Sequence, residues 1–152
     1  MFRLISGPAT VCLAGWVSLA GLSGCGSSEP QGGPRVKTSA VTGIVHVDGQ
    51  PASYLRVVAN PAGDNGAVPI TPAALTTPDG KFELSTYESG DGLPAGEYKL
   101  TFQWGEISLL NGQYSGDKFK GKYAKPEAST VTVKVADGDP PVDLGVIELT
   151  SK

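Results

Sequence analysis

Alternation of apolar and polar side chains with a period of two residues is the feature that most constrains the fold of this chain. In the segment 97–104, four apolar side chains fall on one face: Tyr98, Leu100, Phe102 and Trp104. This period is typical of a β-strand with one face on a core and the other in water. Because the pattern recurs at 41–47 and 129–136, we expect a fold built from such strands.

The composition of the chain agrees with an all-β domain. It holds 21 Gly and 12 Pro in 152 residues with 18% charged residues, which disfavours long helices. Further strands are predicted at 54–60, 73–77, 81–87 and 143–149, the middle two as a hairpin around Asp79-Gly80. About seven short strands predict a small two-sheet antiparallel sandwich over residues 40–150.

A short apolar segment precedes the predicted sandwich. Arg3 supplies a positive start, residues 4–20 are mostly apolar and broken by Gly, and Gly24 is small, which predicts an export signal at 1–24 rather than a membrane-spanning helix. The sequence Leu22-Ser23-Gly24-Cys25 resembles the lipobox of bacterial lipoproteins. The resemblance implies cleavage between Gly24 and Cys25 and a lipid on Cys25, with fatty acyl chains such as palmitate. An ordinary secretory signal is the alternative.

Residues 25–39 are predicted to be the lipidated cysteine and a flexible tether. They lack apolar periodicity and are dense in Gly, Ser and Pro, a composition of flexible linkers. The lipoprotein resemblance then implies the membrane as a partner, reached through the N-terminal lipid, and a place in the bacterial cell envelope. In lipoproteins, an Asp directly after the lipidated cysteine favours retention in the inner membrane. Gly26 occupies that position here, so the resemblance implies the outer membrane.

Cysteine usage and charge exclude several classes of function. Cys12 would leave with the signal and Cys25 would carry lipid, so the mature chain would have neither free thiol nor disulfide. Without Arg3 it keeps 11 basic against 15 acidic residues, a formal charge of −4, which disfavours nucleic-acid binding. His46 is the only histidine, too few for a zinc site of nitrogen and sulfur ligands. We expect no metal and no cofactor.

Three motifs carry a family resemblance. They are Val41-Thr42-Gly43-x-Val45-x-Val47-Asp48-Gly49-x-Pro51, Thr77-x-Asp79-Gly80-Lys81-Phe82-x-Leu84 and Pro94-x-Gly96-x-Tyr98. Their order resembles the carboxypeptidase regulatory-like domain, a small transthyretin-like β-sandwich, over roughly residues 40 to 149. The matched positions are turns and core residues. The resemblance therefore implies a fold and names no chemistry.

Two sequence features bear on catalysis. His46 lies on the polar face of a predicted strand, and residues 112–116 lack the Gly-x-Ser-x-Gly spacing of a nucleophile elbow. Hydroxyisourate hydrolases share the transthyretin-like fold but use several histidines. We therefore expect a non-enzymatic protein, and an unrecognised hydrolase is kept as an alternative.

Four aromatic residues bracket the long irregular segment 105–123: Trp104, Tyr114, Phe119 and Tyr123. If exposed, they would form a surface that stacks on sugars or contacts a protein. If the segment folds back, they would cap the core, and the sequence leaves both arrangements open. The expected function is a scaffolding, adhesion or binding module with an envelope protein or polysaccharide as partner. A cell-surface polysaccharide-binding module is the first alternative.

Overall fold

The structure, a computed structural model, describes residues 35–63, 71–108 and 110–152, so the predicted signal peptide and Cys25 lie outside the described residues. None of the described segments is a helix with the length and hydrophobicity needed to cross a bilayer. Apart from the 3-10 turn Pro126–Ala128, the elements of these residues are strands. They are β1 (Thr38–Ser39), β2 (Val41–Val47), β3 (Gln50–Pro51), β4 (Arg56–Pro61), β5 (Ala73–Leu75), β6 (Lys81–Glu83), β7 (Leu93–Pro94), β8 (Gly96–Gln103), β9 (Glu106–Ile107), β10 (Tyr114–Ser115), β11 (Thr132–Val135) and β12 (Val142–Leu149).

Two sheets enclose one hydrophobic core. The first has the strand order β11-β8-β4-β5, and the second has the order β12-β2-β3 with β6 also paired to β2. The alternating residues of β2 and β8 supply much of the core: Val41, Val45, Val47, Tyr98, Leu100 and Phe102. Within the described ranges, seven strands have three or more residues. The predicted all-β sandwich is confirmed.

One ladder departs from the antiparallel arrangement. β12 runs parallel to β2, with Val142 opposite Val41, whereas the other ladders among the described strands are antiparallel. These two strands lie near opposite ends of the domain's sequence, so they are not joined by a tight turn, which would impose an antiparallel direction. Their register shifts between Asp143 and Val146, a bulge that Gly145 permits with its φ of +63°.

The segments around Asp79-Gly80 form the predicted turn and part of the predicted hairpin, since Thr77 N donates to the carbonyl of Lys81 at 2.8 Å and Ala73 and Ser85 form an antiparallel bridge. Gly80 N donates to the carbonyl of Thr77 at 2.9 Å, which closes the turn. Beyond it, β5 pairs with β4 and β6 pairs with β2, so the two flanks join different sheets. The buried Phe82 ring packs where Gly43 of β2 has no side chain. The Phe82 ring thus fits against β2 at Gly43, and this contact favours β2 as the pairing partner of β6.

Residues 35–39 belong to the folded domain and not to a flexible tether. Arg35 forms an ion pair with Glu88, and β1 pairs with β7. The Ser39 hydroxyl donates to the carbonyl of Asp139 at 3.1 Å. Gly92 makes room for this strand, because its missing Cβ would overlap the Ser39 carbonyl. The predicted boundary at residue 40 is therefore wrong for 35–39, whose partners lie far away along the chain.

The strand directions define two ends of the sandwich. β8 starts directly after β7, beside β1, and ends at Gln103, which lies opposite Arg56 at the start of β4. Eight extended residues span about 25 Å. We call the end that holds residues 35–39 the proximal pole and the end that holds 52–55 and 104–108 the distal pole. The described chain thus enters the domain at the proximal pole.

Candidate functional site

The predicted aromatic surface divides between the core and a groove. Phe119 is 4% exposed, and its ring centroid lies 4.9 Å from that of Tyr123 and 5.8 Å from that of Trp104. Tyr123 also meets the edge of Phe102 at 6.4 Å. The segment 105–123 folds back over the distal end of β8 and shields the Phe102 side chain from solvent. Phe119 is therefore a core residue, as expected for the alternative in which this segment caps the core.

Tyr114 uses its hydroxyl to hold the backbone of the same segment. The hydroxyl accepts a hydrogen bond from Gly105 N at 2.6 Å and donates one to the carbonyl of Gln103 at 2.7 Å. Tyr114 also lies in β10, opposite Ile107 of β9. Its partly buried ring closes the β9–β10 hairpin against the end of β8.

Trp104 reaches a groove at the distal pole. Its indole Nε1 donates to the carbonyl of Ser53 at 3.2 Å, and the Lys118 ammonium lies 4.6 Å from the ring centroid. The groove has a volume of about 470 Å³. We call it the distal groove, and its lining includes Ser53, Tyr54, Trp104, Glu106, Ile107 and Lys118.

Tyr54 is an aromatic residue of this groove that was not among the predicted site residues. It was assigned to a strand at 54–60, but the strand begins at Arg56. Tyr54 instead has a φ of +55°, in the left-handed region, and is 49% exposed. That conformation costs a non-glycine residue about 1–2 kcal/mol. Tyrosine favours strands, so nothing in the local sequence marks this turn.

Thr76 holds Tyr54 in its left-handed conformation. The buried Thr76 hydroxyl donates to the carbonyl of Ala52 and accepts from Leu55 N at 2.8 Å. The Thr76 backbone accepts from Tyr54 N at 3.0 Å and donates to the carbonyl of Leu55 at 2.9 Å. Four hydrogen bonds to one residue determine the path of 52–55, and they offset the strain at Tyr54.

Asp117 holds the other wall of the distal groove. Its Oδ1 accepts hydrogen bonds from Trp104 N at 3.1 Å and Phe119 N at 3.0 Å, and its Oδ2 accepts one from Gly121 N at 2.8 Å. Lys118 N also donates to the carbonyl of Trp104 at 2.8 Å. One carboxylate therefore fixes the position of Trp104 relative to the segment that carries Lys118.

Asp117→Ala is expected to loosen this segment while the sandwich stays folded. The substitution removes three hydrogen bonds from backbone N–H groups to a carboxylate, each worth about 1 kcal/mol in a partly exposed site. Trypsin cleavage after Lys118 and Lys120, followed by mass spectrometry under native conditions, should become at least tenfold faster. Asp137→Ala, in the exposed turn after β11, is the matched control. Equal cleavage rates in the two variants would contradict the anchoring role of Asp117.

The rim of the distal groove carries one charge of each sign. Lys118 Nζ lies 3.5 Å from Glu106 Oε1, and both side chains are largely in water. Such a pair adds little to stability because solvent screens it. The rim is thus electrically balanced and has ammonium and carboxylate groups at the opening.

Residues 150–152 are held by the turn after β2 and by the segment that covers the core. The hydroxyl and amide of Ser151 both donate to the Asp48 carboxylate, which lowers the pKa of Asp48. Burial pushes the pKa of Tyr123 up, but its hydrogen bonds with Thr150 and the nearby Lys122 ammonium outweigh that effect and lower the pKa. These contacts fasten residues 150–152 to the β2 turn and to the segment that covers the core.

His46 lies on the solvent-facing side of the second sheet. Its Nδ1 lies 3.1 Å from Glu148 Oε1 on the neighbouring strand β12. Across residues 35–63, 71–108 and 110–152, no group of three or more His, Cys, Asp or Glu side chains is placed to hold a metal ion. The contacts of His46 are those of a cross-strand surface pair.

Comparisons with known proteins return structural likeness only, since no family model and no curated protein matches the chain. The chain is similar to a 9R-lipoxygenase from Cyanothece PCC8801, with 13% identity, a TM-score of 0.40, and coverage of 74% of this chain and 16% of that one. It is similar to a DUF3823 family protein from Parabacteroides merdae ATCC 43184, with 18% identity, a TM-score of 0.39, and coverage of 76% of this chain and 46% of that one. It is also similar to an (S)-allantoin synthase, with 17% identity, a TM-score of 0.39, and coverage of 75% of this chain and 41% of that one. The chain spans less than half of each structure, and likeness at this level carries no argument about function.

Proposed function

We propose that this protein is a lipid-anchored, non-enzymatic module of the bacterial cell envelope, with a scaffolding, adhesion or binding role. We further propose that its sandwich is a carboxypeptidase regulatory-like domain. The observation that carries the proposal is Leu22-Ser23-Gly24-Cys25, which follows an apolar segment and precedes a folded domain. A thioether-linked lipid at Cys25 would hold that domain at the outer membrane.

The entry point of the described chain supports this arrangement. Arg35 docks at the proximal pole through Glu88 and through the ring of Tyr87, 5.7 Å from its guanidinium carbon. Nine residues, 26–34, separate Cys25 from this docked segment, and nine residues reach at most about 30 Å when fully extended. The proximal pole is therefore the end of the sandwich that the proposed tether joins, and the distal groove lies at the other end.

Cys25→Ala is expected to abolish lipidation. Acyl chains anchor a lipoprotein in the membrane, and each buried methylene contributes about 0.8 kcal/mol to this binding. The thiol of Cys25 is the attachment point proposed for the diacylglycerol. Cells grown with labelled palmitate should incorporate it into the wild-type chain and not into the variant, and the variant should appear as precursor or soluble protein. Cys12→Ala, which removes the thiol inside the signal, should label normally. Palmitate incorporation into the Cys25 variant would overturn the anchor.

The two alternative functions differ in the support that the structure offers. A hydrolase would use His46, whose ring is engaged with Glu148 on the solvent-facing side of a sheet. A polysaccharide-binding module would use an aromatic surface, and Trp104 and Tyr54 provide one in the distal groove. Binding is therefore the better-supported alternative.

A further inference from the structure

We propose that the distal groove binds an uncharged oligosaccharide, with Tyr54 as the stacking residue, Trp104 as an aromatic wall of the groove, and Lys118 and Glu106 as hydrogen-bond partners of the sugar's hydroxyl groups. The inference rests on the binding role proposed for this envelope module and gives that role a site and a ligand class. Sugar rings present apolar C–H faces, which pack on aromatic rings, and hydroxyl rims, which need polar partners. The groove supplies both kinds of contact.

The strained backbone of Tyr54 is the first support for a ligand at this place. Glycine or asparagine would occupy a φ of +55° at lower cost, and a tyrosine that is half exposed gains little from burial in return. Strain of this kind persists where the surroundings impose it, and such residues cluster at ligand-binding sites. The four hydrogen bonds of Thr76 impose it here and place the Tyr54 ring in the lining of the groove.

The charged pair on the rim selects the ligand class. Lys118 and Glu106 are separated by 3.5 Å and are largely exposed, so the ammonium can donate further hydrogen bonds and the carboxylate can accept them. A sugar hydroxyl does both, and it can bridge the two groups. A phosphate or uronate would meet the Glu106 carboxylate as well as Lys118. The balanced rim therefore favours an uncharged glycan over an acidic one.

The size and location of the groove suit a polymer approached from outside. A volume of about 470 Å³ lies within the range of small-ligand sites. The groove opens at the pole opposite the segment 35–39, about the length of β8 away. This pole is the end of the sandwich farther from the point where the proposed tether joins it.

Fluorescence of Trp104 provides a direct assay, because it is the only tryptophan after position 24. The processed lipoprotein, in a detergent without a sugar headgroup, is titrated with hexasaccharides of glucose, N-acetylglucosamine, mannose and xylose. A galacturonate hexasaccharide and a Pro-rich decapeptide serve as charged and peptide probes. We expect a saturable change in emission with at least one uncharged hexasaccharide and at least tenfold weaker binding of the other two probes. Failure of all four uncharged sugars, or tighter binding of the peptide or galacturonate, overturns the proposal.

Tyr54→Gly separates the binding role of the ring from a structural one. The variant should bind the sugar at least tenfold more weakly while its thermal midpoint is unchanged or higher, since the strain is relieved. Tyr54→Phe keeps the ring and should bind within about threefold of wild type, and Tyr87→Asn removes an aromatic ring at the proximal pole as a control. Wild-type affinity in Tyr54→Gly overturns the assignment. Palmitate labelling at Cys25 is independent of this titration, so failure of the anchor and failure of the groove are distinguishable.

Discussion

Gly92→Ala is expected to destabilise the domain by about 3 kcal/mol or more and to detach residues 35–39. Gly92 has a φ of +86°, and a Cβ there would lie 1.8 Å from the Ser39 carbonyl oxygen and 2.6 Å from Ala40 Cα. Both are backbone atoms, so no side-chain rotation relieves the overlap. The β1–β7 pairing would have to separate, and the left-handed strain would remain.

Gly49→Ala is the matched control for this prediction. Gly49 has a similar φ of +78°, but its missing Cβ would meet nothing within 4 Å, so only the strain of about 1 kcal/mol applies. Urea unfolding gives the free energies, and native trypsin cleavage after Arg35 and Lys37 reports detachment of the docked segment. Equal losses of unfolding free energy in the two variants, without faster cleavage in Gly92→Ala, would show that the close approach of β1 to Gly92 does not stabilise the domain.

Thr76→Val is expected to cost about 2–4 kcal/mol although it keeps the shape and burial of the side chain. The hydroxyl is the partner of the Ala52 carbonyl and of Leu55 N inside the protein. Valine leaves both backbone groups buried without that partner, and each such group costs about 1–3 kcal/mol. The turn that carries Tyr54 should also loosen, so sugar binding should weaken at temperatures where the variant is still folded.

Thr76→Ser is the matched control because it keeps the hydroxyl and removes one methyl group. Its expected cost is about 1 kcal/mol from lost apolar burial. Unfolding in guanidinium, followed by circular dichroism, ranks the three proteins, and the wild type should exceed serine and serine should exceed valine. A serine variant as unstable as the valine variant would place the contribution of Thr76 in its methyl group.

Features of the fold that depend on local pattern could be predicted from the sequence. Burial alternates along β2 as the period of two indicates, and along β8 except at Thr101, which is buried between Leu100 and Phe102, because side-chain direction in a strand depends on position. The pairing partner of a strand could not be predicted from local sequence. The turn at Gly80 was expected, but burial of Phe82 against Gly43 joined β6 to β2, and a contact between positions this far apart has no signature in either segment.

The candidate site was predictable only in part for the same reason. Trp104 was selected because aromatic residues beside polar loops often mark surfaces, and it lines the distal groove. Phe119 matched the same description yet fills the core, since the cover that Phe102 needs is visible only in three dimensions. Tyr54 depends on four hydrogen bonds to Thr76, a residue 22 positions later.

The parallel ladder between β2 and β12 has a mechanical consequence for an anchored domain. β2 starts at the proximal pole and β12 ends at the distal pole, so a force applied at these two strand ends would pull the strands in opposite directions along their length. Such shear loads the ladder's hydrogen bonds together, whereas peeling would break them one at a time. Forced unfolding depends on the unfolding rate rather than on equilibrium stability. The domain would thus resist detachment along its long axis better than its small core suggests.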